Sequence, residues 1–239
     1  MARNPKWKRD ELILALDLYF KVNPIHTSEK HPDIIALSKL LNSLPIHAPD
    51  EQQQNFRNPN GVYMKLCNFL RFDPSYSGKG LTAGSKLEKD IWNEFSDDKA
   101  QLERVALAIR NNSMSLPPSS PDEEEDGEFA EGSVLTRTHR LRERNPLVTK
   151  KKKTQVLGET GKLKCTVCGF DFATVYGHLG KGFAECHHIK PVSELIPGEK
   201  TKLSDLSIIC ANCHRMIHRA RPWLSPGELR SRIEHEKAK

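Results

Sequence analysis

Cys165-Thr166-Val167-Cys168, Glu185-Cys186-His187-His188-Ile189-Lys190-Pro191 and Cys210-Ala211-Asn212-Cys213-His214-Arg215-Met216-Ile217-His218 are three pieces of one pattern. Cys165, Cys168, Cys210 and Cys213 form two C-x-x-C pairs, the tetrahedral thiolate set of a structural zinc. The pairs stand 41 residues apart. That gap exceeds a plain zinc ribbon, so a folded element is expected inside it, clamped by the metal. His214 and His218 are i and i+4 on a predicted helix, which turns both imidazoles to one side. His187, on a strand or hairpin, supplies a third ligand and leaves coordination positions open, as catalytic sites require. Its neighbour His188 faces the other way along a strand and is free to take a proton from water near neutral pH.

Charge is distributed unevenly around this core. Residues 1–110 carry 16 Lys+Arg against 14 Asp+Glu, residues 111–135 carry no base and seven acids, and residues 136–239 carry 21 bases against 10 acids. The basic end suits a polyanion such as nucleic acid. With 37% hydrophobic and 28% charged residues and no apolar run near ~18, a membrane protein is not expected. The opening Met1-Ala2-Arg3-Asn4-Pro5-Lys6-Trp7 lacks a signal-peptide core, so a cytoplasmic location is expected. Cys67 falls in an apolar helical pattern and reads as core.

Residues 1–110 read as a helical domain. Leu12, Ala15, Leu16 and Tyr19 recur at helical spacing, with Asp10 as the expected N-cap. Asp33, after Pro32, caps a second helix carrying Ile34, Leu37, Leu40 and Leu41. Val62, Leu66, Phe69 and Leu70 mark a third. Ser85 and Glu88 form a capping box before Leu87, Ile91, Trp92 and Phe95, and Leu102, Val105, Ala106 and Ile109 mark the last. Asn58-Pro59-Asn60-Gly61 is strong turn chemistry between the second and third. Arg57, Asn58, Asn60, Tyr63 and Lys65 around it, with Lys79 in Ser77-Gly78-Lys79-Gly80, are candidate DNA contacts, and an ordinary structural loop is the alternative. Residues 111–135, Pro-, Ser- and acid-rich, read as a disordered acidic linker. Residues 136–239 form the second domain, entered through a basic helix. The fold class is α+β: a mainly α-helical N-terminal domain, a flexible linker and a small metal-stapled C-terminal domain.

The segment from 165 to 218 resembles the HNH (ββα-metal) endonucleases, especially the McrA-like branch in which the motif is bracketed by two C-x-x-C knuckles. The matching elements are Glu185-x-His187-His188-x-x-Pro191 and Cys210-Ala211-Asn212-Cys213-His214-Arg215-Met216-Ile217-His218, with Tyr176-Gly177 and Gly180-Lys181-Gly182-Phe183 resembling the first hairpin. The resemblance implies His187, His214 and His218 as ligands of a catalytic divalent ion and His188 as general base. It places Asp205 at the middle position, where Asn is usual, to fix the tautomer of the base; Glu185 orients a ligand, and Lys190 and Arg215 contact phosphate. The implied cofactors are a structural Zn2+ and a catalytic Mg2+ or Mn2+, with Co2+ or Ni2+ as alternatives. Double-stranded DNA is the implied partner, and a homodimer is expected for cutting both strands. The opening Asn4-Pro5-Lys6-Trp7-Lys8-Arg9-Asp10-Glu11-Leu12 and the Phe56–Lys65 block resemble the N-terminal module of many McrA-like HNH proteins. That resemblance implies a modification-dependent restriction enzyme whose helical domain reads modified DNA, with Trp7, Tyr63 and Trp92 available to a modified base and core packing as their alternative use. A sequence- or structure-directed nuclease and a non-catalytic zinc-dependent DNA-binding protein are the competing readings.

Overall fold

Helix α1 (Arg9–Lys21) is hemmed in on every side: all ten residues from Asp10 to Tyr19 are buried in the computed structural model. A helix surrounded this way forms a core, and here α2 (Pro32–Ser43), α3 (Pro59–Phe69), α4 (Lys86–Phe95) and α5 (Lys99–Ser113) all pack against α1. The described residues are 4–78, 80, 84–113, 116, 132–143, 145–190, 194, 201–220 and 224–239. They divide into two units, 1–135 and 136–239.

Burying α1 also buries three of its carboxylates, and each has a partner. Asp17 meets Arg110 at 2.9 Å and Lys21 at 2.9 Å. Glu11 takes Arg57 bidentately, at 2.6 and 2.9 Å, and His47 at 3.0 Å. Asp10 accepts from the Ser133 and Val134 backbone N–H groups at 2.7 and 3.1 Å. Asp10 is therefore not the N-cap of its own helix. That place falls to Lys8, whose N–H donates to Glu11, and Asp10 caps helix α6 (Ser133–Glu143) instead. The second helix likewise starts two residues early, with His31 rather than Asp33 at the N-cap and Pro32 inside the first turn.

The Ser85–Glu88 capping box forms, with both reciprocal bonds at 3.2 Å. Trp92 lies inside an aromatic cluster with Tyr19, Phe20, Phe69 and Phe72, so it is core. Both ends of the stretch expected as linker are helical. Residues 111–113 finish α5, and 133–135 open α6 with Val134 and Leu135 fully buried. The capping carboxylate that holds them comes from 123 residues away, beyond the reach of local sequence patterns. Residues 114–115 and 117–131 lie outside the described residues.

The second unit is built on a two-stranded antiparallel sheet, β1 (Glu185–His188) and β2 (Leu206–Ile209), with Cys186 opposite Ile208 and His187 opposite Ser207. Helix α7 (Pro146–Thr160) lies against β2. Val156, Leu163, Ala184, Cys186 and Ile208 pack together. On a second side, α9 (Ala211–Arg219) and α10 (Pro226–Lys237) close over Val167, Ile209, Ile217 and Leu229. The segment resembling a first hairpin is helix and turn instead. Helix α8 (Phe172–Tyr176) is started by the Asp171 carboxylate, and a 3-10 turn follows over Gly177–Gly180. Gly180 is tucked against the Phe172 carbonyl with no room for a Cβ, which favours this tight turn over a strand.

Candidate metal centre

The two knuckles bring four sulfurs together. Cys165 and Cys168 sit on a tight loop, where the Gly169 N–H bonds the Cys165 carbonyl at 2.9 Å and Gly169 takes φ 78°. Cys210 is the N-cap of α9, its sulfur accepting from the Cys213 N–H at 3.5 Å. All four sulfurs lie within 4.8 Å of one another, and Cys168 and Cys210 are 3.7 Å apart. Tetrahedral thiolates around zinc stand about 3.8 Å apart, given Zn–S bonds of ~2.3 Å. None of the cysteines forms a disulfide. Burial pushes the Cys210 thiol up, whereas backbone N–H groups outweigh burial and lower Cys165. The set fits zinc.

The second cluster is made by strand alternation and helix pitch together. Glu185 and His187 share one face of β1, and Cys186 turns to the other, into the α7 side of the core. That first face meets α9, where His214 and His218 are one turn apart. The ring centroids of His187, His214 and His218 stand 4.7 to 5.2 Å from one another. Glu185 accepts from His214 Nδ1 at 2.5 Å, leaving Nε2 turned into the cluster. His214 is the strongly perturbed group. Burial alone would lower it, but Glu143 and Glu185 outweigh that and raise it to about 9. The hydrogen bond to His214 in turn lowers the Glu185 carboxyl.

His188 lies on the same strand, and its Nε2 meets Thr201 Oγ1 at 3.3 Å. Asp205 does not supply that contact. Its carboxylate closes the 3-10 turn Leu203–Asp205 by accepting from Lys202 N–H at 2.8 Å. Its carbonyl accepts from Ile189 N–H at 2.8 Å, which fixes the backbone next to His188. Asp205 thus acts on the chain around the imidazole, and the hydroxyl at Thr201 was missed. Lys190 and Arg215 are exposed, and Pro191 lies outside the described residues.

Glu143, at the last residue of α6, was missed as well. Its carboxylate meets His187 Nδ1 at 2.8 Å, His214 Nε2 at 3.1 Å and His218 Nε2 at 3.8 Å. The four residues form a group able to hold a metal ion. One signal was available: Glu143 is the only acid between residues 132 and 158, in a run otherwise rich in Arg and Lys.

The N-terminal candidates are mostly engaged inside their own unit. Arg57 is 5% exposed, paired with Glu11, bonded to the Pro5 and Lys6 carbonyls at 3.1 Å, and set 4.5 Å from the Trp7 and Phe56 rings. It holds a left-handed φ of 41°, unusual outside glycine, and functions as a buried clamp rather than an exposed DNA contact. Asn58 caps α3 through the Gly61 N–H at 2.7 Å, with Pro59 in the first turn, so Asn58-Pro59-Asn60-Gly61 opens a helix rather than a separate turn. Lys65 is bonded to Glu88, and the Tyr63 hydroxyl donates to the Pro24 carbonyl at 3.3 Å. Asn60 is exposed, and Lys79 lies outside the described residues.

Residues 165–220 match the HNH endonuclease family, a nuclease domain. This segment spans both knuckles, both strands and α9 and excludes Glu143 and the N-terminal unit. No curated protein and no solved structure matches the chain. Among the described residues, no helix is long and apolar enough to cross a membrane.

Proposed function

We propose that the chain is a DNA endonuclease that hydrolyses phosphodiester bonds at the histidine cluster. The observation behind this reading is the separation of two adjacent histidines along one strand. His187 converges with His214 and His218, while His188 is held apart by Thr201, within a segment matching a nuclease family. His187, His214 and His218 would hold a divalent cation, which would supply positive charge to the scissile phosphate and to the departing oxygen. His188 accepts the proton of a water, whose oxygen forms a bond to phosphorus as the bond to the 3′ oxygen breaks. Solvent water returns a proton to the departing 3′ oxygen, so the products are a 5′-phosphate and a 3′-hydroxyl. Glu185 fixes the ring of His214, as carboxylates behind ligating imidazoles do. Lys190 and Arg215, both exposed on the same unit, are proposed to hold the flanking phosphates. An imidazole-rich set suits Mn2+, Co2+ or Ni2+ better than Mg2+.

Selection of modified DNA by the N-terminal unit is the finer part of the proposal and rests on the resemblance of its opening and its Phe56–Lys65 block. With Arg57, Asn58 and Lys65 occupied internally, Asn60 and the half-buried Trp7 and Tyr63 remain as its described candidates for contact. Cutting both strands with one such centre per chain calls for two copies on the DNA.

The test is a digest of plasmid and phage DNA with Mn2+, using unmodified, adenine-methylated, cytosine-methylated, hydroxymethylated and phosphorothioated substrates. The expected result is cleavage by the parent chain and a loss of roughly 10²-fold or more in His188→Ala with DNA binding kept. Cleavage confined to one modified class supports a restriction role. Equal cleavage of all classes removes the reader function and keeps the nuclease. A folded chain that binds DNA and cuts none of it with Mg2+, Mn2+, Co2+ or Ni2+ is a zinc-dependent binding protein instead.

A further inference from the structure

We infer that Glu143 is a fourth protein ligand of the catalytic ion, supplied by a helix outside the family-matched segment. The inference rests on the histidine cluster being a metal centre. Its carboxylate is 6% exposed and lies between Nδ1 of His187 and Nε2 of His214 and His218. Those four donor atoms all lie within 4.8 Å of one another. Ligands on opposite sides of an ion with bonds of ~2.1 Å stand about 4.2 Å apart, so one cation reaches all four with small adjustments. The electrostatics point the same way. Three neutral imidazoles bring no negative charge to a dication, and one carboxylate halves the charge left in the site. Glu185 is already committed to the far nitrogen of His214, so Glu143 is the acid that faces the shared space.

A fourth ligand has a chemical consequence. An ion that takes six ligands keeps two positions for water and phosphate oxygen. An ion that settles at four, as zinc does in closed sites, keeps none. The set of three imidazoles and one carboxylate is thus open to Mn2+ chemistry and closed by tetrahedral Zn2+.

Mn2+ binding to the full chain carrying one zinc per chain, which the four thiolates take and the histidine centre does not, is followed by the electron paramagnetic resonance of the free ion and tests the assignment without DNA. Thiolates compete poorly for Mn2+, so the knuckle site does not interfere. Glu143→Gln should weaken Mn2+ binding at least tenfold, with Glu143→Asp falling between it and the parent. The Gln oxygen still accepts a hydrogen bond from His187, so a carboxylate that only positions the imidazoles leaves Gln within about threefold of the parent. That outcome overturns the inference. His214→Ala should abolish binding. If it does so while Glu143→Gln changes nothing, the histidine centre stands and only the fourth ligand falls. Intact Mn2+ binding without DNA cleavage leaves Glu143 assigned and removes the nuclease reading. A parent chain that binds no Mn2+ removes both. Circular dichroism and zinc content keep misfolded variants out of the comparison.

Discussion

Arg57 shows how a basic residue beside a loop is spent on the fold. Its guanidinium, stacked on Trp7 and Phe56, neutralises a Glu11 carboxylate that has no access to water. Burial would raise Glu11, but His47 and Arg57 outweigh it and lower the group. Arg57→Ala strands that charge, so a loss of about 3–5 kcal/mol is expected in urea unfolding of the N-terminal unit. A stability change under about 1 kcal/mol, with weakened DNA binding, would return Arg57 to the surface role its sequence suggested. Asp10 titrates in the opposite direction. Burial dominates the hydrogen bonds from Ser133 and Val134 and raises the carboxyl to about 6. A raised carboxyl stabilises the folded chain most below its unfolded value near 4, and that contribution disappears as pH rises through 6. Asp10→Asn should therefore gain on the parent between pH 4 and 7, by on the order of 3 kcal/mol. Parallel pH profiles for the two proteins refute the assignment.

Among the elements, β1, β2 and α9 are too short to persist alone. Two four-residue strands form an isolated hairpin of marginal stability, and α9 has nine residues. The cysteine clamp closes the loop between them from both ends, since Cys165 and Cys168 precede β1 while Cys210 and Cys213 start α9. Structural zinc contributes apparent free energies of about 10–16 kcal/mol in small domains, far more than these elements supply. Chelation, or Cys165→Ser, should therefore abolish Mn2+ binding and amide protection in β1, β2 and α9. Helices α1 to α5, which hold no zinc ligand, should keep their protection. Retained protection in β1 and α9 without zinc would contradict the clamp.

For the whole molecule, the charge distribution makes a prediction that belongs to neither unit's core. Residues 121–131 carry seven acids and no base, against an excess of eleven positive charges on residues 136–239. Like charges on this stretch and on DNA would make them competitors for the same basic surface. Deleting 121–131 should raise non-specific cleavage at low salt, and an unchanged rate sinks the idea. The sequence by itself determined the four-cysteine cluster that fits zinc and the convergence of His214 with His218, because ligand spacing and helix pitch are local quantities. It also determined the helical stripes and the Ser85–Glu88 cap for the same reason. Only the tertiary structure decided where charges separated by scores of residues meet. It assigned Asp10 to a helix 123 residues away, Arg57 to Glu11, and Glu143 to the three histidines. A charged side chain has the same local signature whether it faces water, DNA or a buried partner, and burial decides among the three only after the chain has folded.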